Sequence, residues 1–327
     1  MIKQRELVIV GGGPAGMAAA LSAYKNGVKD ILILERDEYL GGILNQCIHP
    51  GFGIDYFKEI LTGPEYARRF INKLEQVPRI EVSLRSFVVD LTKDKVLTFL
   101  KPGSFNRIKA KALIMATGCR EKTREMVHIP GTRPAGIFSA GLAQKMINIE
   151  GLIPGKKVVI VGSGDIGLIM ARRFVLEGAQ VKAVIEIQKQ SQGLLRNVVQ
   201  CVQDYNIPFF CQHKISKIHG NSRVEKVSVV KVDKNFKTVA NTEFEIECDS
   251  ILISVGLIPE NELIEMAGVK IDKNTNTPVY KGLNKTSIKG LFVCGNSYKV
   301  YDIVDSVSSD SEKAGQSAAE YLKRGKK

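Results

Sequence analysis

Long apolar runs are missing from this sequence of 327 residues. No stretch approaches the ~20 apolar residues that a helix needs to cross a bilayer, so we expect no membrane span. The first predicted strand starts at Glu6, which leaves no room ahead of it for a signal or transit peptide. With an ordinary content of hydrophobic residues, 44%, these absences indicate a soluble enzyme of the cytoplasm.

Cysteine pairs are missing as well. The six cysteines are scattered, and no two stand at the C-x-x-C spacing of redox pairs and zinc sites. Three histidines, His128, His213 and His219, also lack metal-ligand spacing, and we interpret them as structural. We therefore expect reduced thiols rather than a disulfide framework, and no metal site.

Acidic residues are outnumbered by basic ones, and the formal net charge is +13. This sign fits nucleic acid, a membrane surface, an acidic protein partner or a lysine-rich solvated face. Because aromatic and basic residues do not alternate anywhere, we do not expect nucleic acid as the main partner. We interpret the charge as a solvated face together with cofactor phosphates, with an acidic partner as the alternative.

Glycine, in contrast, is concentrated in two loops of one pattern. Each loop follows an apolar strand and opens a predicted helix; the loops are Gly11-x-Gly13-x-x-Gly16 and Gly162-x-Gly164-x-x-Gly167. The first glycine allows a tight turn, the second lets the backbone approach a pyrophosphate, and the third permits close helix–strand packing. The helix N-terminus then offers N–H groups to the phosphates.

An acid ends the next predicted strand of each unit, Glu35 in the first and Glu186 in the second. Each lies roughly 20 residues past the last glycine, where a carboxylate accepts hydrogen bonds from a ribose. Since two dinucleotides on one chain usually mean FAD and a nicotinamide, we predict hydride transfer between them. The residues predicted to bind them are Gly11, Gly13, Pro14, Ala15, Gly16, Glu35 and Arg36, and Gly162, Gly164, Asp165, Ile166, Gly167 and Glu186.

The remaining pattern predicts the domain organisation. A buried strand is predicted over Ala112–Ala116, and helices over Leu194–Asp204 and Ile303–Lys323. No low-complexity linker separates the units. We predict an α/β protein of two Rossmann-like three-layer domains, with the second inserted into the first. The FAD-binding domain would comprise residues 1–120 and 257–327, and the NAD(P)-binding domain residues 121–256.

Further landmarks stand in the order of a known family. They are Ala116-Thr117-Gly118, Val255–Asn261 and Phe292–Asn296. With the two loops, they make the chain resemble the pyridine nucleotide–disulfide oxidoreductases, flavoproteins with two dinucleotide-binding domains. In size the chain is similar to the thioredoxin reductase branch. Its segment Gly41–His49 resembles that of bacterial FAD-dependent oxidoreductases associated with glycerol-3-phosphate-dehydrogenase-type or amine-dehydrogenase-type flavoproteins.

The resemblance implies further cofactor-binding residues, which are Gly42, Thr117, Gly118, Gly295, Asn296 and Gly256. Gly42 would lie beside the flavin, and Asn296 stands where relatives usually carry an acid that binds the ribityl chain. The N-terminal end of the last helix would point its dipole at the flavin pyrimidine and stabilise negative charge there.

Glu186 also predicts a preference for NAD(H) over NADP(H). A carboxylate pairs with a ribose 2′-hydroxyl and repels a 2′-phosphate. Lys182 and Lys189 lie nearby in the sequence and moderate this preference.

The redox cysteine pair of the family is missing. Glutathione-reductase-type members carry it where this chain aligns Leu44 and His49, and thioredoxin-reductase-type members carry it within the stretch matching Gly136–Gly155, which has no cysteine. We therefore predict direct electron exchange between flavin and a small substrate or a partner redox subunit. The resemblance also implies a homodimer or a subunit of a dehydrogenase complex.

Cys47 and His49 are the candidate catalytic residues beside the flavin. A Cys–His pair could form an activated thiolate that is oxidised to a sulfenic acid, as in NADH oxidase or peroxidase chemistry. His49 alone could act as a proton donor or base. Alternatively, Cys47 is a small apolar filler and His49 a turn residue. Besides the main interpretation, the sequence leaves open a peroxidase using Cys47 and a non-catalytic nucleotide-binding subunit.

Overall fold

The computed structural model describes residues 2–279, 282 and 284–325. The chain divides into two compact units. One comprises Met1–Arg120 with Ile258–Lys327, and the other comprises Glu121–Leu257. The second unit is therefore an insertion in the first.

The elements follow in chain order. The helices are α1 (Pro14–Lys25), α2 (Gly63–Glu75), α3 (Ala140–Asn148), α4 (Asp165–Leu176), α5 (Leu195–Val198), α6 (Glu262–Met266) and α7 (Val304–Arg324). The strands are β1 (Lys3–Val10), β2 (Ile31–Leu34), β3 (Pro50–Phe52), β4 (Leu61–Thr62), β5 (Ile80–Ser83), β6 (Phe87–Leu91), β7 (Val96–Lys101), β8 (Ser104–Met115), β9 (Cys119–Glu121), β10 (Ile137–Ser139), β11 (Lys157–Val161), β12 (Gln180–Glu186), β13 (Phe209–Cys211), β14 (His213–Gly220), β15 (Val224–Lys231), β16 (Phe244–Glu247), β17 (Ser250–Ile253), β18 (Leu257–Pro259) and β19 (Leu291–Val293). Shorter turns are the 3₁₀ helices Gly42–Gln46 and Gly295–Ser297 and the π-helix Val199–Gln203.

The first unit is built on a sheet in the order β5-β2-β1-β8-β7-β6, with β19 beside β8. The strands β5, β2, β1, β8 and β19 pair parallel, whereas β7 pairs antiparallel with both of its neighbours, β8 and β6. Side chains of β1 alternate between the two faces. Leu7 and Ile9 pack in the core under α1, α2 and α7. Val8 and Val10 pack in the opposite core. The result is three layers.

The second unit repeats this plan with a parallel sheet in the order β10-β17-β11-β12-β13. Val158 and Ile160 of β11 face the core formed with α3 and α4. Val159 faces a core shared with the antiparallel sheet β14-β15-β16. In both units the glycine loop lies at the carboxyl end of a central strand, which is where open α/β sheets bind ligands.

The predicted fold class, two three-layer α/β domains with one inserted in the other, is confirmed. Two elements differ from their predictions. The strand predicted over 112–116 is the end of the longer β8, which pairs antiparallel with β7 at its start and alternates between exposed and buried positions over 107–112. The helix predicted over Leu194–Asp204 is a short α5 followed by the π-helix. Among the described residues, no helix is long and apolar enough to cross a membrane.

Candidate functional site

The first glycine loop turns the chain sharply from β1 into α1. Gly11 has a φ of 105°, in the left-handed region, and a Cβ there would collide with the carbonyl oxygen of Ala116. The N-cap and first turn of α1 consist of Gly13, Pro14, Ala15 and Gly16. Because the first N–H groups of a helix have no partner within it, this turn offers donors to a phosphate.

Glu35 reaches back to the same loop from the end of β2. Its Oε2 accepts the N–H of Gly12 at 2.5 Å, and its Oε1 accepts the N–H of Asp37 at 2.9 Å. The side chain is buried, and a carboxylate has acceptor sites beyond these two. The geometry fits an adenosine ribose bound at the loop. Arg36, which is exposed, pairs instead with Glu260 at 3.4 Å.

The turn at Gly41 and Gly42 lies against the loop. The N–H of Gly41 donates to the carbonyl oxygen of Gly12 at 2.9 Å, and the 3₁₀ helix starting at Gly42 follows. The structure therefore brings together the loop, the acid and the turn that the resemblance places beside the flavin.

Ser297 is a site residue that was not predicted from the sequence. It is fully buried, and its hydroxyl oxygen accepts the N–H of Gly118 at 3.0 Å. Thr117 Oγ1 lies 3.3 Å from the same oxygen and donates to the carbonyl of Glu260 at 2.7 Å. Ser297 thus ties the turn after β8 to the Gly295 turn after β19. The signal available in the sequence was its position directly after the landmark Phe292–Asn296.

Asn296 uses both ends of its amide. Its Oδ1 accepts the N–H of Tyr301 at 3.2 Å, and its Nδ2 donates to Cys119 Sγ at 3.4 Å. A carboxylate at this position could not donate to the sulfur. The amide therefore fits the neighbouring Cys119 of this chain.

Cys47 does not have the surroundings of an activated thiolate, contrary to that expectation. Its side chain is buried, and its Sγ donates to the carbonyl of Ile43 at 3.3 Å. Burial raises the pKa of the thiol to about 12, so the neutral form dominates at neutral pH. His49 is partly buried, with Nδ1 3.3 Å from the carbonyl oxygen of Pro50 and its ring 5.0 Å from that of Phe52. The burial of the thiol agrees with the alternative in which Cys47 is a small apolar filler.

The N-terminus of α7 carries a carboxylate, and the predicted effect of this helix dipole on the flavin did not take that charge into account. Asp305 lies in its first turn, 5% exposed, and its two oxygens accept the N–H groups of Gly53 and Asp55, each at 3.1 Å. A negative charge here offsets part of the positive end of the helix dipole.

A cavity of ≈ 820 Å³ opens beside the second loop. Of the residues predicted to bind a cofactor, Gly162, Gly164, Glu186 and Gly256 line it. Gly162 has a φ of 91°, and a Cβ on it would collide with the carbonyl oxygen of Ser254. A Cβ on Gly11 would collide in the same way with the carbonyl oxygen of Ala116. A cavity of this size lies within the range of small-molecule and cofactor sites.

Glu186 is held by three donors. Its Oε2 accepts the N–H of Ser163 at 2.9 Å and its hydroxyl at 2.6 Å, while its Oε1 accepts the N–H of Gln188 at 2.8 Å. The side chain is 4% exposed. Ser163 and Gln188 also line the cavity, and neither was predicted from the sequence.

The other predicted residues of this loop belong to α4. Asp165, Ile166 and Gly167 form its first turn. The side chain of Asp165 accepts the N–H of Leu194 at 2.8 Å and the amide of Asn197 at 2.7 Å. Its carboxylate is therefore engaged with the start of α5.

Two histidines expected to be purely structural, His128 and His213, stand on the cavity wall with Lys214. His213 Nδ1 lies 2.7 Å from the carbonyl oxygen of Cys211, and Lys214 Nζ donates to the carbonyl of Phe236 at 3.3 Å. The spacing of these residues along the chain does not predict that they lie at one cavity. Within the described part of the chain, no cluster of three or more His, Cys, Asp or Glu residues could hold a metal ion.

The family model described as pyridine nucleotide-disulphide oxidoreductase matches residues 5–311. The opine oxidase subunit of Agrobacterium tumefaciens (strain Ach5) is 24% identical over 318 residues, covering 89% of this chain and 61% of the relative. Thioredoxin reductase of Bacillus subtilis (strain 168) is 24% identical over 326 residues, covering 97% and 94%.

A crystal structure of Lactococcus lactis thioredoxin reductase superposes with a TM-score of 0.77 at 21% identity, covering 98% of this chain and 99% of that one. This likeness confirms the fold. The chain spans about three-fifths of the length of the first curated relatives that it matches, at 61%, 59% and 58%.

Proposed function

The chain belongs to the pyridine nucleotide-disulphide oxidoreductase family, and on this premise we propose that it is an NADH-linked FAD oxidoreductase. Hydride would pass between NAD(H) and FAD, and electrons would be exchanged directly with a small substrate or a partner redox subunit. Bound FAD supplies a ring that accepts hydride from a nicotinamide and passes electrons on. The residues of the chain bind and orient the two dinucleotides.

The observation that carries the proposal is a duplicated contact. In the first unit the N–H of Gly12 donates to Glu35 Oε2, and in the second the N–H of Ser163 donates to Glu186 Oε2. Both carboxylates are buried and stand at the end of the strand that follows the loop. The same donor–acceptor pair beside two tight glycine turns supports two dinucleotide sites, and a family of flavin-dependent oxidoreductases supports FAD and a nicotinamide as their ligands.

The stretch ahead of the second loop supports direct electron exchange. Gly136–Gly155 contains no cysteine. Ser139 caps α3 by accepting the N–H of Leu142 at 3.4 Å, and Glu121 accepts the N–H of Gly141 with both oxygens, at 2.8 and 2.9 Å. This segment supplies a capped helix where a dithiol would be needed, so no internal disulfide is available there to relay electrons.

NAD(H) is the proposed nicotinamide because Glu186 faces the cavity. A fixed carboxylate accepts from a ribose 2′-hydroxyl and repels a 2′-phosphate. Lys214, a cation on the cavity wall, is bonded to a backbone carbonyl rather than standing opposite Glu186 in an ion pair. The balance favours the unphosphorylated nucleotide.

The proposed function includes a partner redox subunit. The matched opine oxidase chain is by name a subunit, which supports a second chain as electron donor or acceptor. The charge of +13 supports an acidic redox protein in that role. A homodimer is compatible with the same chemistry.

Anaerobic stopped-flow mixing tests the proposal. Purified protein with bound FAD is mixed with NADH and separately with NADPH, and flavin absorbance is followed. We expect fast bleaching by NADH and slower or weaker bleaching by NADPH. Photoreduction of the same sample is the control that its flavin can be reduced. A flavin that photoreduces fully but is bleached by neither nucleotide overturns the proposal.

A further inference from the structure

Ser163 stands between the first two glycines of the second loop and is fully buried. Two of its atoms donate to Glu186 Oε2, the backbone nitrogen at 2.9 Å and the hydroxyl at 2.6 Å. The N–H of Gln192 donates to the same hydroxyl at 3.0 Å. The side chain therefore lies between the glycine loop and the segment that follows β12.

These contacts determine where the hydroxyl proton points. A serine hydroxyl has one proton to donate and can accept two hydrogen bonds. Because the N–H of Gln192 can only donate, the oxygen of Ser163 accepts from it. The hydroxyl proton is thus directed to Glu186, whose carboxylate only accepts.

The first loop provides a comparison within the chain. Gly12 occupies the position equivalent to Ser163, and its N–H donates to Glu35 in the same way. Gly12 has no hydroxyl, and a Cβ there would lie 2.9 Å from Glu35 Oε2 and closer still to Leu40. The hydroxyl contact is therefore a difference between two otherwise matched sites.

We infer that Ser163 is a positioning residue for nucleotide selectivity: its hydroxyl holds the Glu186 carboxylate where it accepts a ribose and repels a 2′-phosphate. This role rests on the proposed preference for NAD(H).

The physical reason is the loss of rotational freedom. With two donors on Oε2 and one on Oε1, the carboxylate cannot turn away without leaving a buried donor unpaired, which is costly. A phosphorylated ribose would therefore meet the negative charge at full strength. Without the hydroxyl only the two backbone donors remain, so turning the carboxylate away costs one hydrogen bond less and the repulsion of a 2′-phosphate falls.

The test measures dissociation constants of NAD⁺ and NADP⁺ by isothermal titration calorimetry on the flavin-loaded full chain. Oxidised nucleotides are used so that the flavin is not reduced. The variants are Ser163→Ala and Ser163→Gly, the second of which reproduces the composition of the first loop. Ser191→Ala is the matched control, because its hydroxyl donates to the backbone carbonyl of Ser163 at 3.3 Å and not to Glu186.

We expect the ratio of the NADP⁺ to the NAD⁺ dissociation constant to fall about tenfold in both Ser163 variants, the effect of losing one hydrogen bond to a charged group. The ratio should not change in Ser191→Ala. General damage to the loop would weaken both nucleotides equally and leave the ratio intact, and this result would overturn the positioning role.

Two outcomes separate this inference from the proposed function. A wild-type protein that prefers NAD⁺, with variants that keep the same preference, overturns the role of Ser163 alone. A wild-type ratio near one overturns the NAD(H) preference, and the role of Ser163 with it.

Discussion

The carboxylate of Asp305 accepts the N–H of Gly53, with 3.1 Å between oxygen and nitrogen. Its second oxygen accepts the N–H of Asp55 at the same distance. One buried side chain in the first turn of α7 thereby fixes the segment after β3. The same turn is the one that the family resemblance directs at the flavin pyrimidine.

Replacing Asp305 with Asn should raise the flavin reduction potential by about 6–20 mV, because removing a charge near a helix N-terminus changes the free energy by roughly 0.3–1 kcal/mol. Potentials are measured by anaerobic reductive titration with a reference dye. Glu312→Gln is the matched control: Glu312 accepts the Tyr56 hydroxyl at 2.5 Å farther along α7. An equal shift in both variants, or a lower potential in Asp305→Asn, would contradict the electrostatic explanation.

Stability should decline at alkaline pH because burial raises the pKa of three thiols, Cys47, Cys248 and Cys294, to about 12 from the ordinary value of 9.0. Between these values the folded protein keeps the protons and the unfolded chain releases them, so rising pH favours unfolding. The contribution of each thiol is intact below pH 9. It falls by about 1.4 kcal/mol per pH unit above that value.

Urea unfolding at pH 8 and pH 10 measures this decline. A Cys294→Ala variant is less stable at both pH values but should show a shallower decline between them, since one titrating group is gone. If the free energy of unfolding falls between pH 8 and pH 10 by the same amount in this variant as in the wild type, the thiol does not titrate as expected.

Cys47→Ser should leave reduction of the flavin by NADH within about twofold of the wild-type rate. The reason is that the thiol donates to the Ile43 carbonyl and its raised pKa keeps it neutral. Rates come from anaerobic stopped-flow absorbance, and peroxide turnover is assayed in parallel with dye reduction. If wild-type protein turns over peroxide and the variant loses this activity while keeping dye reduction, the prediction is wrong and Cys47 acts as a catalytic thiolate.

The two buried acids should have separable effects. Glu35→Gln should lower FAD content after purification. The carboxylate has two oxygens, which accept the N–H groups of Gly12 and Asp37, whereas the amide has only one acceptor oxygen. Glu186→Gln should leave FAD content unchanged and reduce the preference for NAD⁺ over NADP⁺ about tenfold. Flavin absorbance per chain and calorimetry measure the two quantities. Each variant is the control for the other, and crossed effects would contradict the assignment of the sites.

Much of this protein is determined locally by its sequence. The continuous apolar runs of β1 and β11, the tight turns at Gly11 and Gly162, and the acids at Glu35 and Glu186 are all readable as patterns. They suffice for the fold class because the Gly-x-Gly-x-x-Gly turn, the helix behind it and the following strand are continuous in the chain.

Other features were decided by tertiary structure, because they depend on residues far apart in the chain. Ser297 meets Gly118, and Asp305 meets Gly53, only once strands and helices from the two ends of the first unit are packed together. The raised pKa of the Cys47 thiol follows from its burial, which the sequence around it does not display. The sequence pattern alone determined where the two glycine loops are, whereas packing decided which donors hold Glu35 and Glu186 and which thiols have a raised pKa.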